Sequence, residues 1–159
     1  MVYSFTYTTT TPDQLTADEQ ELCAKAREAS EGSYAPYSNY HVGAAIRLSD
    51  GTVVTGANQE NASYPCGTCA ERTALHYAQS AYPTLAVTAI AVTARVKEVQ
   101  GVQEVQESRV RKSPFPCGMC RQALVEAEHR QGTPIKVIVV TPEEATVFPS
   151  AACLLPFAF

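Results

Sequence analysis

NQENASYPCGTCAERT at residues 58–73 is the stretch that decides how the chain is organised, and PCGMCRQAL at residues 116–124 is its counterpart. Each holds a C-x-x-C pair, Cys66 with Cys69 in the first and Cys117 with Cys120 in the second. Thiolates at this spacing are typical ligands of zinc, and a carboxylate beside them, here Glu71, indicates a zinc that takes part in chemistry. We therefore expect the rest of the chain to form the frame that brings the two stretches together.

The length and composition indicate one domain over residues 1–159, with a threonine-rich N-terminal segment (1–12) that is flexible or extended. A net charge of −4 argues against binding to a nucleic acid polymer, which needs a basic face. The longest nearly apolar run, 84–94, is far shorter than the roughly 20 residues of a membrane-spanning helix, and the N-terminus lacks the features of a secretory signal. Six cysteines without an export signal predict a cytoplasmic protein, away from membranes, whose paired cysteines hold metal.

Periodicity and cap signals predict the secondary structure. Thr16 followed by Glu19 forms a capping box that opens a helix ending near Gly32. The Asp50-Gly51 dipeptide between the apolar runs 41–48 and 52–57 predicts a β-hairpin. The further predicted elements are a helix from 67–68, a buried strand over 86–95, a helix from PCGMC to about 130 and a strand over 135–140. Segment 96–113 fits a ragged strand or an insertion, and the pattern does not decide between them. This order of elements predicts an α/β fold, with helices packed on a partly antiparallel sheet.

Two interpretations of the four cysteines fit their spacing. In the first, all four thiolates close around a structural zinc, which leaves no coordination position for a reaction. In the second, Cys69, Cys117 and Cys120 bind zinc, Glu71 is the acid–base partner and Cys66 is a bystander.

The surroundings favour the second interpretation. Cys69 and the Cys117/Cys120 pair stand at predicted helix starts, where the helix dipole and free N–H groups stabilise thiolates. Three thiolates give zinc a net negative charge, which Arg72 and Arg121 can offset. A purely structural zinc has little need for such compensation. Glu71 also has a simpler explanation, because acidic residues are favoured in the first turn of any helix.

Four motifs resemble one known family. NQENASYPCGTCAERTAL, PCGMCRQAL, APYSNYHVGAA at 35–45 and LLPFAF at 154–159 are similar, in this order, to the small zinc-dependent cytidine deaminases whose ligands are all cysteines. The resemblance implies a three-layer α/β/α fold with a mixed five-stranded sheet. It also implies a homotetramer whose active sites are shared between subunits, and hydrolysis of cytidine and deoxycytidine in pyrimidine salvage.

The resemblance further implies a role for individual residues. One zinc ion per chain is expected on Cys69, Cys117 and Cys120, and Glu71 is expected to move protons during hydrolysis. Arg72 and Arg121 are expected to hydrogen-bond the ligand sulfurs. The expected substrate contacts are Asn58 and Glu60 at the ribose hydroxyls, the Ala70 backbone at the base, Tyr40 stacked on the pyrimidine in place of the family's Phe, and Tyr64 and Phe159 at a subunit boundary.

Other functions remain open from the sequence. A deaminase of the same fold could act on another aminated pyrimidine or on a nucleoside antibiotic, although the Asn58/Glu60 pair favours a substrate that carries a ribose. A non-catalytic zinc-stabilised module would tolerate replacement of Glu71. A thiol redox protein could use two C-x-x-C pairs, but Pro65 and Pro116 before the pairs and the shared helix starts fit metal better.

Overall fold

The computed structural model describes residues 4–96 and 113–158 of the chain. Three α-helices and six strands form in these residues, in the order β1 Thr8–Thr10, α1 Ala17–Ala29, β2 Tyr40–Leu48, β3 Val53–Ala57, α2 Ala70–Ala81, β4 Val87–Val96, α3 Gly118–Gln131, β5 Lys136–Val140 and β6 Ala145–Phe148. Short 3-10 helices cover Pro12–Gln14, Ser30–Gly32, Tyr64–Cys66 and Ala151–Leu154. Within the described ranges, no helix combines the length and apolar character needed to cross a membrane.

The strands form one mixed sheet in the order β1-β6-β5-β4-β2-β3. Only the central β4–β5 pair is parallel among the paired strands, and the remaining pairs are antiparallel. Helices α2 and α3 pack on one face in the larger core, while α1 covers the other face through Leu22, Cys23 and Ala26. The expected three-layer α/β/α fold is therefore confirmed. The sheet has six strands where five were expected.

The two strands that were not predicted are short and pair with each other at the edge of the sheet. β1 consists of three threonines, and its register places Thr9 opposite Thr146 of β6. Neither strand is long enough for alternation to stand out in the sequence, so the pairing is set by tertiary contacts. Of segment 96–113, residues 97–112 lie outside the described residues.

The structure confirms the predicted capping box of the first helix and the predicted turn of the hairpin. Thr16 Oγ1 accepts from the Glu19 N–H at 3.3 Å, and the Glu19 carboxylate accepts from the Thr16 N–H at 3.0 Å, which completes the capping box. Glu19 also pairs with Lys136 of β5 at 2.7 Å and so ties α1 to the sheet. In the hairpin turn Gly51 has φ 91°, a left-handed conformation that glycine adopts without strain.

Two glycines let the helices lie close to the sheet. A Cβ on Gly43 would lie 2.0 Å from the carbonyl oxygen of Ala26, in α1. One on Gly56 would lie 2.5 Å from the nitrogen of Ala74 and 2.7 Å from the oxygen of Ala70, both in α2. The start of α2, which carries Cys69 and Glu71, is thus positioned by direct backbone contact with β3.

The C-terminal segment packs partly on its own domain. Ala151 and Leu154 are buried in the larger core, whereas Phe157 is 87% exposed. The buried carboxylate of Glu128 in α3 accepts from Ser150 Oγ at 2.6 Å, from the Ala151 N–H at 2.8 Å and from the Ile135 N–H at 2.7 Å. This single side chain joins α3, the start of β5 and the last 3-10 helix.

Candidate active site

Three cysteines meet where α2 and α3 begin on the same face of the sheet. Cys69 is the N-cap residue of α2, Cys117 is the N-cap of α3, and Cys120 lies in the first turn of α3. Their sulfur atoms all lie within 4.8 Å of one another, with Cys69 Sγ 3.8 Å from Cys117 Sγ and Cys117 Sγ 3.5 Å from Cys120 Sγ. Among the described residues this is the one group of cysteine, histidine and carboxylate side chains close enough to hold a metal ion.

Cys66 is not part of this cluster. It ends the 3-10 helix Tyr64–Cys66 and is exposed, whereas Cys120 is fully buried and the other two are half-buried. The structure therefore brings together three of the four cysteines of the C-x-x-C pairs. This arrangement favours the interpretation with one open coordination position over the closed four-cysteine site.

The chemistry of the three thiols fits a zinc ion. Hydrogen bonding with Cys120, opposed by burial and helped by Cys117 and Arg72, lowers the pKa of Cys69 to about 5. The same hydrogen bond with Cys69, together with burial and the nearby charge of Glu71, raises the pKa of Cys120 far above that of an ordinary thiol. Cys69 is thus readily a thiolate, whereas Cys120 resists ionisation. All three can be thiolates together only if a cation such as zinc neutralises their charge, because like charges at these distances repel strongly.

Glu71 is the carboxyl group beside the thiols. It occupies the first turn of α2 and is 5% exposed. Burial raises the pKa of Glu71 to about 7, and the negative charge of Cys69 adds to that rise, while the backbone N–H of Glu71 and nearby Cys120 and Arg72 oppose it. A carboxyl whose pKa lies near neutrality is suited to both taking and giving a proton.

The two arginines beside the cysteine motifs have different partners. Arg72 interacts with Cys69 and Cys120, and hydrogen bonding and negative charge at these cysteines raise the pKa of its guanidinium against the effect of burial. Arg121 donates from Nε to the Pro116 carbonyl oxygen at 2.8 Å and from Nη1 to that of Leu154 at 3.2 Å, whereas we expected it to bind the ligand sulfurs. Its planar guanidinium reaches two carbonyl groups at once, which ties the second cysteine loop to the C-terminal segment.

Asn58 holds the start of β2, and Glu60 holds the loop that precedes it. Asn58 donates from Nδ2 to the Tyr40 carbonyl oxygen at 2.9 Å, and its Oδ1 accepts from the Val42 N–H at 2.8 Å. The Glu60 carboxylate accepts from the Tyr37 N–H at 2.9 Å, the Ser38 N–H at 3.2 Å and the Ser38 hydroxyl. Burial raises the pKa of Glu60, but these hydrogen bonds outweigh it and the net pKa is lowered, so Glu60 is an oriented carboxylate.

The remaining expected contacts lie around this cluster. Ala70 is the fully buried first residue of α2, Tyr40 is the half-buried first residue of β2, and Tyr64 is 92% exposed. Phe159 lies outside the described residues.

The residues that support this site carry little signal in the sequence. Tyr37 and Ser38 donate to Glu60 from 23 and 22 positions away, and the sequence indicates this loop only by the turn-rich composition of SYAPYSN at 33–39. The contact of Arg121 with Leu154 had no sequence signal, because it joins positions 33 residues apart.

Known proteins are similar to this chain in both sequence and fold. Residues 16–133 match the family model of the cytidine and deoxycytidylate deaminase zinc-binding region. This chain belongs to the cytidine deaminase family. It is 47% identical over 109 residues to a cytidine deaminase of Halalkalibacterium halodurans, covering 69% of this chain and 71% of that protein. A probable cytidine deaminase of Dictyostelium discoideum is 34% identical over 143 residues, or 89% of this chain and 84% of the relative.

Solved cytidine deaminases have the same architecture. The crystal structure of cytidine deaminase from Burkholderia pseudomallei superposes with a TM-score of 0.70 at 38% identity, covering 87% of this chain and 97% of that one. The match to the zinc-binding region includes all three clustered cysteines and Glu71. The expectation of a zinc-dependent cytidine deaminase fold is confirmed, and the thiol cluster fits the metal that this family binds.

Proposed function

We propose that this chain hydrolyses free cytidine and deoxycytidine to uridine and deoxyuridine, with release of ammonia. The observation that carries the proposal is the buried carboxyl of Glu71, with a pKa of about 7, beside three thiols at the starts of two helices. A zinc ion with a purely structural role has no need for a buried carboxyl whose pKa lies near neutrality. The cytidine deaminases among the relatives support the same substrate.

The residues of the site have separate roles in the reaction. When bound on Cys69, Cys117 and Cys120, zinc lowers the pKa of water and so supplies a nucleophile near neutral pH. Glu71 accepts a proton from the attacking water and passes it to ring N3 as C4 is attacked. It then takes the second proton of that water from the new hydroxyl at C4 and delivers it to the departing amino group. The products are then uridine and ammonia, which balances the water and cytidine consumed.

Neighbouring groups prepare the cluster for this chemistry. Arg72 interacts with Cys69 and Cys120, and its positive charge offsets the negative charge of their sulfurs. The N-termini of α2 and α3 add their dipoles to the same effect. Both contributions reduce the excess negative charge of a three-thiolate site, which would otherwise weaken its effect on water.

The proposed sugar and base contacts are those that the resemblance to the family implies. We assign Asn58 and Glu60 to the ribose hydroxyls, and we assign the Ala70 backbone and Tyr40 to the base. Glu60 uses three of about four lone-pair positions on the 37–38 backbone and hydroxyl donors, so one position is left for a sugar hydroxyl. This arrangement favours a nucleoside over a free base, and KM for cytidine should be well below KM for cytosine.

Assembly is a second part of the proposal. Exposed apolar side chains lie beside both cysteine stretches and near the C-terminus, with Tyr64 92%, Met119 65% and Phe157 87% exposed. Large apolar side chains with this much exposed surface are often covered in protein interfaces. We assign them to a homotetramer in which Tyr64 and Phe159 approach a neighbouring subunit's substrate, and we place the enzyme in cytoplasmic pyrimidine salvage.

A truncation tests the assembly. Leu154 is buried and bonded to Arg121, so the deletion should begin after it, at residue 156. Removing 156–159 should weaken the oligomer in light scattering and raise KM for cytidine. A fully active monomeric truncation would contradict the shared site.

The deamination itself is tested by following ammonia and uridine from cytidine. We expect turnover by the zinc-loaded protein, loss of turnover in chelator and recovery on adding zinc back. Zinc-loaded, folded protein that leaves cytidine unchanged would reject the proposed function.

A further inference from the structure

His41 is a buried polar residue that the catalytic scheme does not use. It is the second residue of β2 and is 7% exposed. Its Nδ1 contacts the hydroxyl of Ser33, and its Nε2 lies 3.3 Å from Oδ1 of Asn39. These partners are the first and last residues of the segment 33–39, called here the 33–39 loop.

The chemistry of the two partners determines how the ring is protonated. An amide oxygen can only accept, so Nε2 carries the proton and donates to Asn39. In the neutral ring Nδ1 is then the acceptor, and the Ser33 hydroxyl donates to it. The imidazole therefore joins the two ends of the 33–39 loop by one bond in each direction.

The residue at the end of the loop has a backbone conformation that needs support. Asn39 has φ 54°, in the left-handed region, and is the one residue other than glycine with positive φ in the described part of the chain. Its N–H donates to the Ala35 carbonyl oxygen at 3.0 Å, and its side chain is held by His41. Such conformations persist where the surroundings hold them in place.

The middle of the same loop carries the donors that orient Glu60. The N–H groups of Tyr37 and Ser38 and the Ser38 hydroxyl all bond to the Glu60 carboxylate. A change in the shape of the loop would move these donors, and the carboxylate would follow them.

We propose that His41 is a positioning residue for the sugar: by joining Ser33 to Asn39 it fixes the loop whose donors aim Glu60 at a sugar hydroxyl. The inference deepens the proposed function and rests on its assignment of Glu60 to the ribose. In this role His41 acts through the loop.

Two variants of His41 distinguish the effect of its hydrogen bonds from the effect of its side-chain volume. His41→Phe keeps an aromatic ring but removes both nitrogen atoms, while His41→Gln supplies an amide that can donate and accept. We expect His41→Phe to raise KM for cytidine by about tenfold, as for loss of a hydrogen-bonded group near a charge, with kcat changed less than about twofold. His41→Gln should recover much of the loss. Ile46→Val, a buried change in the same strand, is the control for lost stability and should leave KM unaltered.

A double variant tests whether the effect passes through Glu60. KM for His41→Phe combined with Glu60→Gln should lie within about twofold of KM for Glu60→Gln alone, because effects that share one pathway do not add. An unchanged KM in His41→Phe, an equal rise in Ile46→Val, or full multiplication of the two effects in the double variant would each overturn the proposal.

Amide hydrogen exchange distinguishes this inference from the proposed function. Exchange in a peptide covering 34–40 should be faster in His41→Phe than in the wild type and unchanged in Ile46→Val. This measurement needs no substrate. If the wild type fails to deaminate cytidine, the proposed function is rejected, whereas unchanged exchange in His41→Phe rejects the positioning role of His41 whatever the substrate proves to be.

Discussion

Gly56→Ala would displace the helix that carries half of the active site. The added Cβ would lie 2.5 Å from the Ala74 nitrogen and 2.7 Å from the Ala70 oxygen, so α2 must move from β3 by roughly 1 Å to reach the 3.4 Å of an ordinary contact. Both nearby atoms belong to helix backbone, so no side chain can rotate to relieve the overlap. The strain should cost about 1–3 kcal/mol of unfolding free energy.

The same displacement should damage catalysis. α2 begins directly after Cys69 and carries Glu71, whereas Cys117 and Cys120 are fixed by α3. A shift of about 1 Å between the two helices should therefore lower kcat by about tenfold to a hundredfold and reduce the zinc content. Urea unfolding, metal analysis and steady-state kinetics on cytidine measure the three effects.

Gly43→Ala is the matched control. Its Cβ would lie 2.0 Å from the Ala26 oxygen in α1, on the face of the sheet opposite the thiols, so it strains the fold at least as much. It should destabilise the protein but retain zinc and most of kcat. Equal losses of zinc and kcat in both variants would refute the argument that close packing at Gly56 sets the geometry of the site.

Three further predictions concern individual side chains. Cys66→Ser should retain zinc and activity while Cys69→Ser loses both, and equal zinc loss by metal analysis would restore the closed four-cysteine site. Glu128→Gln should lower the free energy of unfolding in urea by about 1–3 kcal/mol, because the amide keeps one acceptor oxygen while its NH2 group cannot accept from the donors that faced the other oxygen. Glu126→Gln, an exposed change in the same helix, should stay within about 0.5 kcal/mol of wild type, and equal effects of the two changes would contradict the role of Glu128 in joining α3 to its neighbours. For Glu19, burial raises the pKa, but bonds from Lys136 and Thr16 bring it below its ordinary 4.5, so its contribution to stability is present above pH 4.5 and is lost as pH falls through the folded-state pKa. The wild type should lose more stability than Glu19→Gln between about pH 6 and about pH 3, and parallel losses would contradict this linkage.

Signals that act over a few residues could be predicted from the sequence. The Thr16/Glu19 capping box and the Asp50-Gly51 turn each involve neighbours within one turn, and both are found in the structure. The two C-x-x-C motifs at helix starts indicated a metal site because a short loop followed by a helix places thiols side by side. Spacing alone did not show that Cys66 lies outside the cluster of the other three cysteines. Its position depends on the 3-10 helix Tyr64–Cys66, of which it is the last residue.

Features that depend on long-range pairing were not predictable. β1 and β6 are short strands whose backbones pair with each other and, for β6, with β5, so nothing in their own residues distinguishes them from loops. Because Arg121 directly follows Cys120, we expected it to bind the ligand sulfurs. Its hydrogen bonds go instead to the carbonyl oxygen of Pro116, in the same motif, and to that of Leu154, which the fold of the C-terminal segment brings close. The loop that holds Glu60 is likewise defined by partners more than twenty positions away.

The central claim is that Glu71 moves protons at a zinc site made by three cysteines. The most direct measurement is turnover of cytidine by Glu71→Gln protein whose zinc content equals that of the wild type. The substitution keeps the size of the side chain and removes its titration, so kcat should fall by at least about 10²–10⁴ while the fold and bound zinc remain. Turnover within a few-fold of the wild type at equal zinc content would show that Glu71 is only a buried acid at a helix start.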